Sequence, residues 1–167
     1  MEERKFYICW VKLNRRNIYL IWYSDELDGI ILGADNKLLT FPNQNLLRAF
    51  AKKHKIVLEN QEPTLHNLNI IQNWLQNPTW KVDCFEFLLA WNFFTDVSTS
   101  LDAKFKGNRK SMIRNMVYDK LFFGNNLPSI TPVGKTYFPK WSVVEIAVLS
   151  SILADGLKLL KRNLNLV

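Results

Sequence analysis

Two periods divide the chain. From Lys5 to Phe41 apolar positions recur mostly every second residue and the run is rich in strand formers. Phe6, Ile8, Trp10 and Leu13 make one apolar set, and Ile18, Leu20, Ile21, Trp22 and Tyr23 make the next, separated by Asn14-Arg15-Arg16-Asn17. That spacing predicts a hairpin. After Asp28-Gly29, the runs Ile30-Ile31-Leu32 and Lys37 to Phe41 flank Gly33-Ala34-Asp35-Asn36, whose residue types suit a tight turn, so a second hairpin is expected. Together the two predict a four-stranded antiparallel meander.

Beyond Phe41 the apolar spacing becomes helical. Pro42 suits a helix start, and Leu46, Leu47, Phe50 and Ala51 fall on one side through about His54, with Arg48, Lys52 and Lys55 on the other. Ile56-Val57-Leu58 reads as a fifth short strand. Thr64 is placed to cap a helix carrying Leu65, Leu68, Ile71, Trp74 and Leu75, which Pro78 ends. Residues 83–101 are apolar on nearly every side, the profile of a helix surrounded by protein. A basic loop from Asp102 to Asn108 then leads to a helix from about Lys110 to Phe122, and the Gly-, Pro- and Asn-rich segment 124–139 reads as ordered loop or strand. Ser142 and Glu145 have the spacing of a capping box opening a helix through Ile146, Leu149, Leu153, Leu157 and Leu160. The expected fold is α+β: an N-terminal antiparallel β-meander, helices packed on one of its faces, and a mostly helical C-terminal half. With no repeat or linker in view, residues 1–167 are expected to form a single domain, sheet-rich over 1–60 and helix-rich over 61–167.

Composition adds that a sizeable core is affordable: 48% of residues are apolar and 22% charged. The formal charge is +7, but neither half holds a basic tail or an acidic pole. Cys9 and Cys84 lie far apart, each in an apolar stretch, and read as buried thiols of a protein in a reducing compartment. Met1 to Lys5 is charged and lacks the apolar run of a signal peptide, and the most apolar stretches, 84–94 and 143–154, fall short of the roughly 18–20 residues that span a bilayer. A cytoplasmic location with no membrane contact is expected.

Chemistry is sparse. His54 and His66, with no paired cysteines, do not make a metal set, no phosphate loop or dinucleotide glycine pattern occurs, and no nucleophile sits in a recognisable elbow. No catalytic residues, cofactor or metal are therefore expected. Asn92, Thr95, Asp96 and Thr99 form one polar stripe on an otherwise apolar helix; Asp96 there reads either as the acid or base of an enzyme pocket or as part of a hydrogen-bond network joining helices. Lys104, Lys106, Arg109, Lys110 and Arg114 form one basic cluster and Arg48, Lys52, Lys53 and Lys55 another; adjacent in space they would make a nucleic-acid footprint, and apart they are solvated faces. Asp25, Glu26 and Asp28, with Asp35 in the next turn, put carboxylates at one sheet end, where they could meet a basic protein or keep a loop soluble.

One resemblance is carried by the second half. Trp91-Asn92-Phe93-Phe94-Thr95-Asp96, Tyr118-Asp119-Lys120-Leu121-Phe122, Asn126-Leu127-Pro128, Thr131-Pro132 and Tyr137-Phe138-Pro139-Lys140-Trp141 are similar in style to the immunity proteins encoded beside bacterial contact-dependent growth-inhibition toxins. The resemblance implies a cytoplasmic protein that binds the C-terminal domain of a cognate toxin, often a nuclease, and blocks its active site or substrate path. It transfers no functional residue, and the charge of +7 departs from the acidic character common among inhibitors of basic nucleases. For such a partner the candidate contacts are Asp25, Glu26 and Asp28 on one loop and Lys104, Lys106, Arg109, Lys110 and Arg114 on another, with charge steering the encounter. The alternative is a small nucleic-acid-binding protein that uses the basic clusters.

Overall fold

A computed structural model of the chain describes residues 3–164, so Met1 and Glu2 of the charged N-terminal run lie outside the described residues. The first hairpin forms where the alternation places it. Strand β1 (Lys5–Leu13) pairs antiparallel with β2 (Arg16–Ser24) from Lys5 opposite Ser24 to Leu13 opposite Arg16. Asn14 and Arg15 turn the chain with φ of 52° and 61°, the left-handed values a two-residue hairpin loop requires. A short β3 (Gly29–Ile30) continues the antiparallel order beside β2.

The fourth strand is not the one the alternation predicts. The second turn is present, with Gly33 N–H donating to the Lys37 carbonyl at 2.8 Å, but its far arm divides its pairing. Leu38 bridges Leu32 and Leu164, while Phe41 bridges Tyr19, so 37–41 never becomes a regular strand. The free edge of β1 is taken by β4 (Thr64–Asn67), which runs parallel to it and gives a mixed sheet in the order β3-β2-β1-β4. Thr64 therefore opens a strand and caps no helix. Likewise 56–58 contributes only a single bridge between Leu58 and Phe6 instead of a fifth strand. A four-residue strand is selected by an open row of backbone donors and acceptors, a demand that its own side chains do not display.

The helices follow their caps. α1 (Gln44–Lys53) starts at Asn43, whose side chain accepts the Leu46 N–H at 2.9 Å. α2 (Leu68–Gln76) follows β4 directly, and α3 (Cys84–Leu101) is capped by Asp83 and closed by Asp102 in a left-handed conformation. A single 3-10 turn at Lys106–Asn108 precedes α4 (Met112–Phe123), and α5 (Val143–Asn163) begins at the expected capping box.

Strand alternation sends the two sides of the sheet into different cores. Cys9, Val11, Leu13, Ile18 and Leu20 join α2, α3, α4 and α5 in the main core, with Phe87, Trp91 and Phe94 of α3 fully buried at its centre. Ile8, Ile21 and Phe41 face the other way, where Leu47 and Phe50 of α1 cover them in a smaller cluster. The strands thus lie N-terminal and the C-terminal half is helical, in an α+β fold whose helical half packs on one face and α1 on the other.

The start of α5 is tied down by charge. Ser142 Oγ accepts the Glu145 N–H, Glu145 Oε1 accepts the Ser142 N–H at 2.9 Å, and Lys120 of α4 reaches Glu145 Oε2 at 2.7 Å and the Lys140 carbonyl at 2.6 Å. Burial pushes the Glu145 carboxyl up, but the hydrogen bonds from Lys120 and Ser142 outweigh it and hold the group below its ordinary value. The stability this carboxylate contributes is accordingly present above the ordinary glutamate range and is lost as pH falls through its depressed value. Glu145→Ala is expected to cost about 2 kcal/mol, because it removes the carboxylate half of the capping box and leaves the half-buried Lys120 ammonium with the Lys140 carbonyl but no counter-charge. Urea denaturation at neutral pH and at pH 3 checks this, since the difference between wild type and variant should shrink in acid.

Candidate functional site

Three surfaces and one cleft carry side chains whose placement calls for more than packing. The acidic loop between β2 and β3 is partly spent on itself: Arg4 pairs with Asp25 and lies over the Tyr23 ring at 4.2 Å, and Asp25 Oδ1 accepts the Leu27 N–H at 2.9 Å. These bonds hold the Asp25 carboxyl below its ordinary value, the Leu27 N–H first and Arg4 next. Glu26 and Asp28 are exposed.

The basic segment is divided by role. The Lys106 N–H donates to Asp155 Oδ2 at 2.8 Å and its Nζ to Ser151 Oγ at 3.0 Å, which pins the 3-10 turn to α5. Arg114 is structural as well, with Nε donating to the Gly107 carbonyl at 2.7 Å and its guanidinium stacked over Trp91 and Tyr118. Lys104, Arg109 and Lys110 are exposed. The second basic cluster, on α1, is not brought beside them. α1 covers the sheet face opposite the one that α3 and α5 pack on, so the sheet stands between the two clusters.

The polar stripe on α3 splits into separate contacts. Asn92 Oδ1 accepts from the Tyr118 hydroxyl at 3.0 Å, Thr95 Oγ1 donates to the Trp91 carbonyl and pairs with Asn108 Oδ1, and Thr99 Oγ1 donates to the Thr95 carbonyl. Asp96 points elsewhere. Its Oδ2 accepts the Trp22 indole N–H at 2.9 Å, at the wall of a cleft of about 210 Å³ between α3 and the sheet. Burial lifts its carboxyl to about 6, against the lowering effect of the Trp22 hydrogen bond and with a further push from the Asp28 charge. Across the cleft, burial lowers His66 to about 4, so that imidazole is neutral near pH 7, and its ring packs on Phe93 with centroids 4.7 Å apart. Cys9 and Cys84 are free thiols, both pushed up chiefly by burial. Among the described residues no three His, Cys, Asp or Glu side chains converge as metal ligands, and no helix is long and apolar enough to cross a membrane.

The third surface has no counterpart among the charged candidates. At the end of the molecule where α3 and α5 start and α4 finishes, large apolar side chains stand in solvent: Phe138 is 79% exposed, Val143 74%, Trp80 67% and Phe85 60%, with Phe123, Leu127 and Tyr137 also exposed. They belong to one neighbourhood. Asn125 donates to the Cys84 carbonyl, a Cβ on Gly124 would meet Cys84 Sγ and Pro139, and Trp80 and Val143 line the same hollow. The segment is held in shape. Asn126 Oδ1 accepts the Tyr137 N–H at 2.6 Å and its amide donates back to the Tyr137 carbonyl at 3.0 Å, closing the loop as a strand partner would. Sequence reading had one signal for this surface, the aromatic and proline-rich run Tyr137 to Trp141, but only Trp141 of that run is buried with the core.

No family model, curated protein or solved structure matches the chain.

Proposed function

We propose that the protein is an immunity protein that binds the C-terminal domain of a cognate bacterial toxin, with a nuclease the expected toxin, and neutralises it by stoichiometric occlusion. One observation supports this reading above the others: the exposed apolar end takes Leu127, Tyr137 and Phe138 from the segments that resemble contact-dependent immunity proteins and joins them to Trp80, Phe85, Phe123 and Val143. Contiguous exposed apolar surface on a soluble chain marks a place where another protein sits, and aromatic side chains on a fixed backbone lose little entropy when they are covered. Phe85, Phe138 and Trp80 are the anchors in this reading. The exposed charges of the two loops at the far end of α3, Glu26 and Asp28 on one and Lys104, Arg109 and Lys110 on the other, steer the encounter from a distance and contribute less to the final affinity.

The test is co-expression with the toxin gene expected beside this one. Growth should be restored, and a 1:1 complex should survive high salt and nuclease treatment. Failure to protect, or recovery only of nucleic acid that is lost as salt rises, overturns the reading.

A further inference from the structure

The cleft between the sheet and α3 has a chemistry of its own. Tyr7 and Trp22 are directly opposed on β1 and β2, so their side chains share one face, and their ring centroids lie 5.2 Å apart with planes at 47°. Phe93 and His66 form a second aromatic pair, brought by α3 and β4. Asp96 stands one turn beyond Phe93 on α3 and lines the same space. Its carboxylate is oriented by the Trp22 indole N–H on one oxygen, and among the described residues no lysine or arginine pairs with it. Asp28 adds negative potential nearby. The neutral imidazole of His66 supplies no compensating charge, and its buried Nδ1 has no hydrogen-bond partner.

We propose that this cleft binds a small organic cation, an alkylammonium or guanidinium group, with Asp96 as its counter-ion and Tyr7, Trp22 and Phe93 as its aromatic walls. The residue types select the ligand. Ring faces carry negative quadrupole density that attracts a cation, and a partly desolvated carboxylate strengthens that attraction, whereas an anion would be repelled by Asp96 and Asp28 alike. Size narrows the class further. At about 210 Å³ the cleft is below the roughly 300–1,000 Å³ of sites for drug-sized ligands and suits a single headgroup or one side chain. Among the described residues this carboxylate has no lysine or arginine partner even though the chain carries 22 of them. The site lies apart from the apolar end, and cation binding does not depend on the immunity reading; only the choice between the two sources of the cation rests on it.

Such a group can arrive as a free amine or as a lysine or arginine side chain of a bound protein, and the experiment separates the two. The full chain is titrated with tetramethylammonium and methylguanidinium while the Trp22 indole N–H resonance is followed by NMR, with tert-butanol as the neutral isostere of tetramethylammonium. The expected result is a saturable shift with at least one cation, at least tenfold weaker with tert-butanol and at least tenfold weaker in Asp96→Asn, which keeps an oxygen for Trp22. Should Asp96→Asn fold poorly, the comparison of cation with isostere on the wild-type chain decides alone. If Asp96→Asn also weakens the complex with the toxin domain, the natural cation is a partner side chain; if that complex is unaffected, it is a free ligand. Equal responses to the cations and tert-butanol, or no response of Trp22 to either cation, overturns the proposal.

Discussion

Trp91→Ala should lower the stability of the fold by about 3–5 kcal/mol, the largest effect expected from any single truncation in this chain. Trp91 is wholly buried in the middle of α3, and three residues from two elements, α4 and the 3-10 turn, are built against it. Tyr118 of α4 meets the indole edge-to-face with centroids 5.2 Å apart, the Arg114 guanidinium lies over it at 5.2 Å, and Gly107 approaches so closely that a Cβ there would sit 2.8 Å from Nε1. Removing the indole leaves a cavity that none of these can fill, because Gly107 has no side chain and the other two are tethered by their own hydrogen bonds. Against a total of roughly 5–15 kcal/mol the loss is a large share, and for a chain of this length it should lower Tm by roughly 10 °C. Thermal unfolding followed by circular dichroism measures it. A shift below about 3 °C would show that α4 and the 3-10 turn re-pack independently of the α3 core.

The second large effect concerns binding and leaves stability alone. Phe85→Asp combined with Phe138→Asp should weaken the complex with the toxin domain at least 100-fold, about 2.7 kcal/mol or more, while the melting temperature stays within the range of ordinary surface substitutions. Both rings are already in solvent, so a charge placed there costs the free protein little. In a complex it would be buried without a partner. Charge reversal at Arg109 and Lys110 provides the contrast, since steering residues alter the association rate and its salt dependence and leave most of the affinity in place. Calorimetry of each variant against the toxin domain, with growth protection alongside, separates the two contributions. A double variant that still binds within threefold of wild type would move the interface away from the apolar end.

The features read correctly from the sequence share a short reach. The β1–β2 hairpin needs only alternation and a two-residue turn, the capping box needs only Ser142 and Glu145 three residues apart, and α3 is recognisable because it is apolar on nearly every side. The candidate loops are present as well, but their charges divide in ways that spacing does not show: Asp25 is occupied by Arg4, and Lys106 and Arg114 hold the fold together while Arg109 and Lys110 face solvent. Asp96 could be singled out as polar in an apolar setting, but its partner could not be found, because Trp22 lies 74 residues away in sequence.

The sequence by itself therefore determined the α+β class, the N-terminal placement of the first hairpin ahead of a helical C-terminal half, the capped start of α5 and the buried centre of α3, since each depends on periodicity or on bonds within one turn. Only the tertiary structure decided that β4 takes the free edge of β1 while 37–41 makes only isolated bridges, that the two basic clusters stand on opposite sides of the sheet, that a carboxylate and three aromatic rings share one cleft, and that the aromatic run 137–138 faces water. The physical reason is common to all four. Strand pairing, burial and local electrostatics are properties of which surfaces meet, and a residue's own type sets only what it gains when they do.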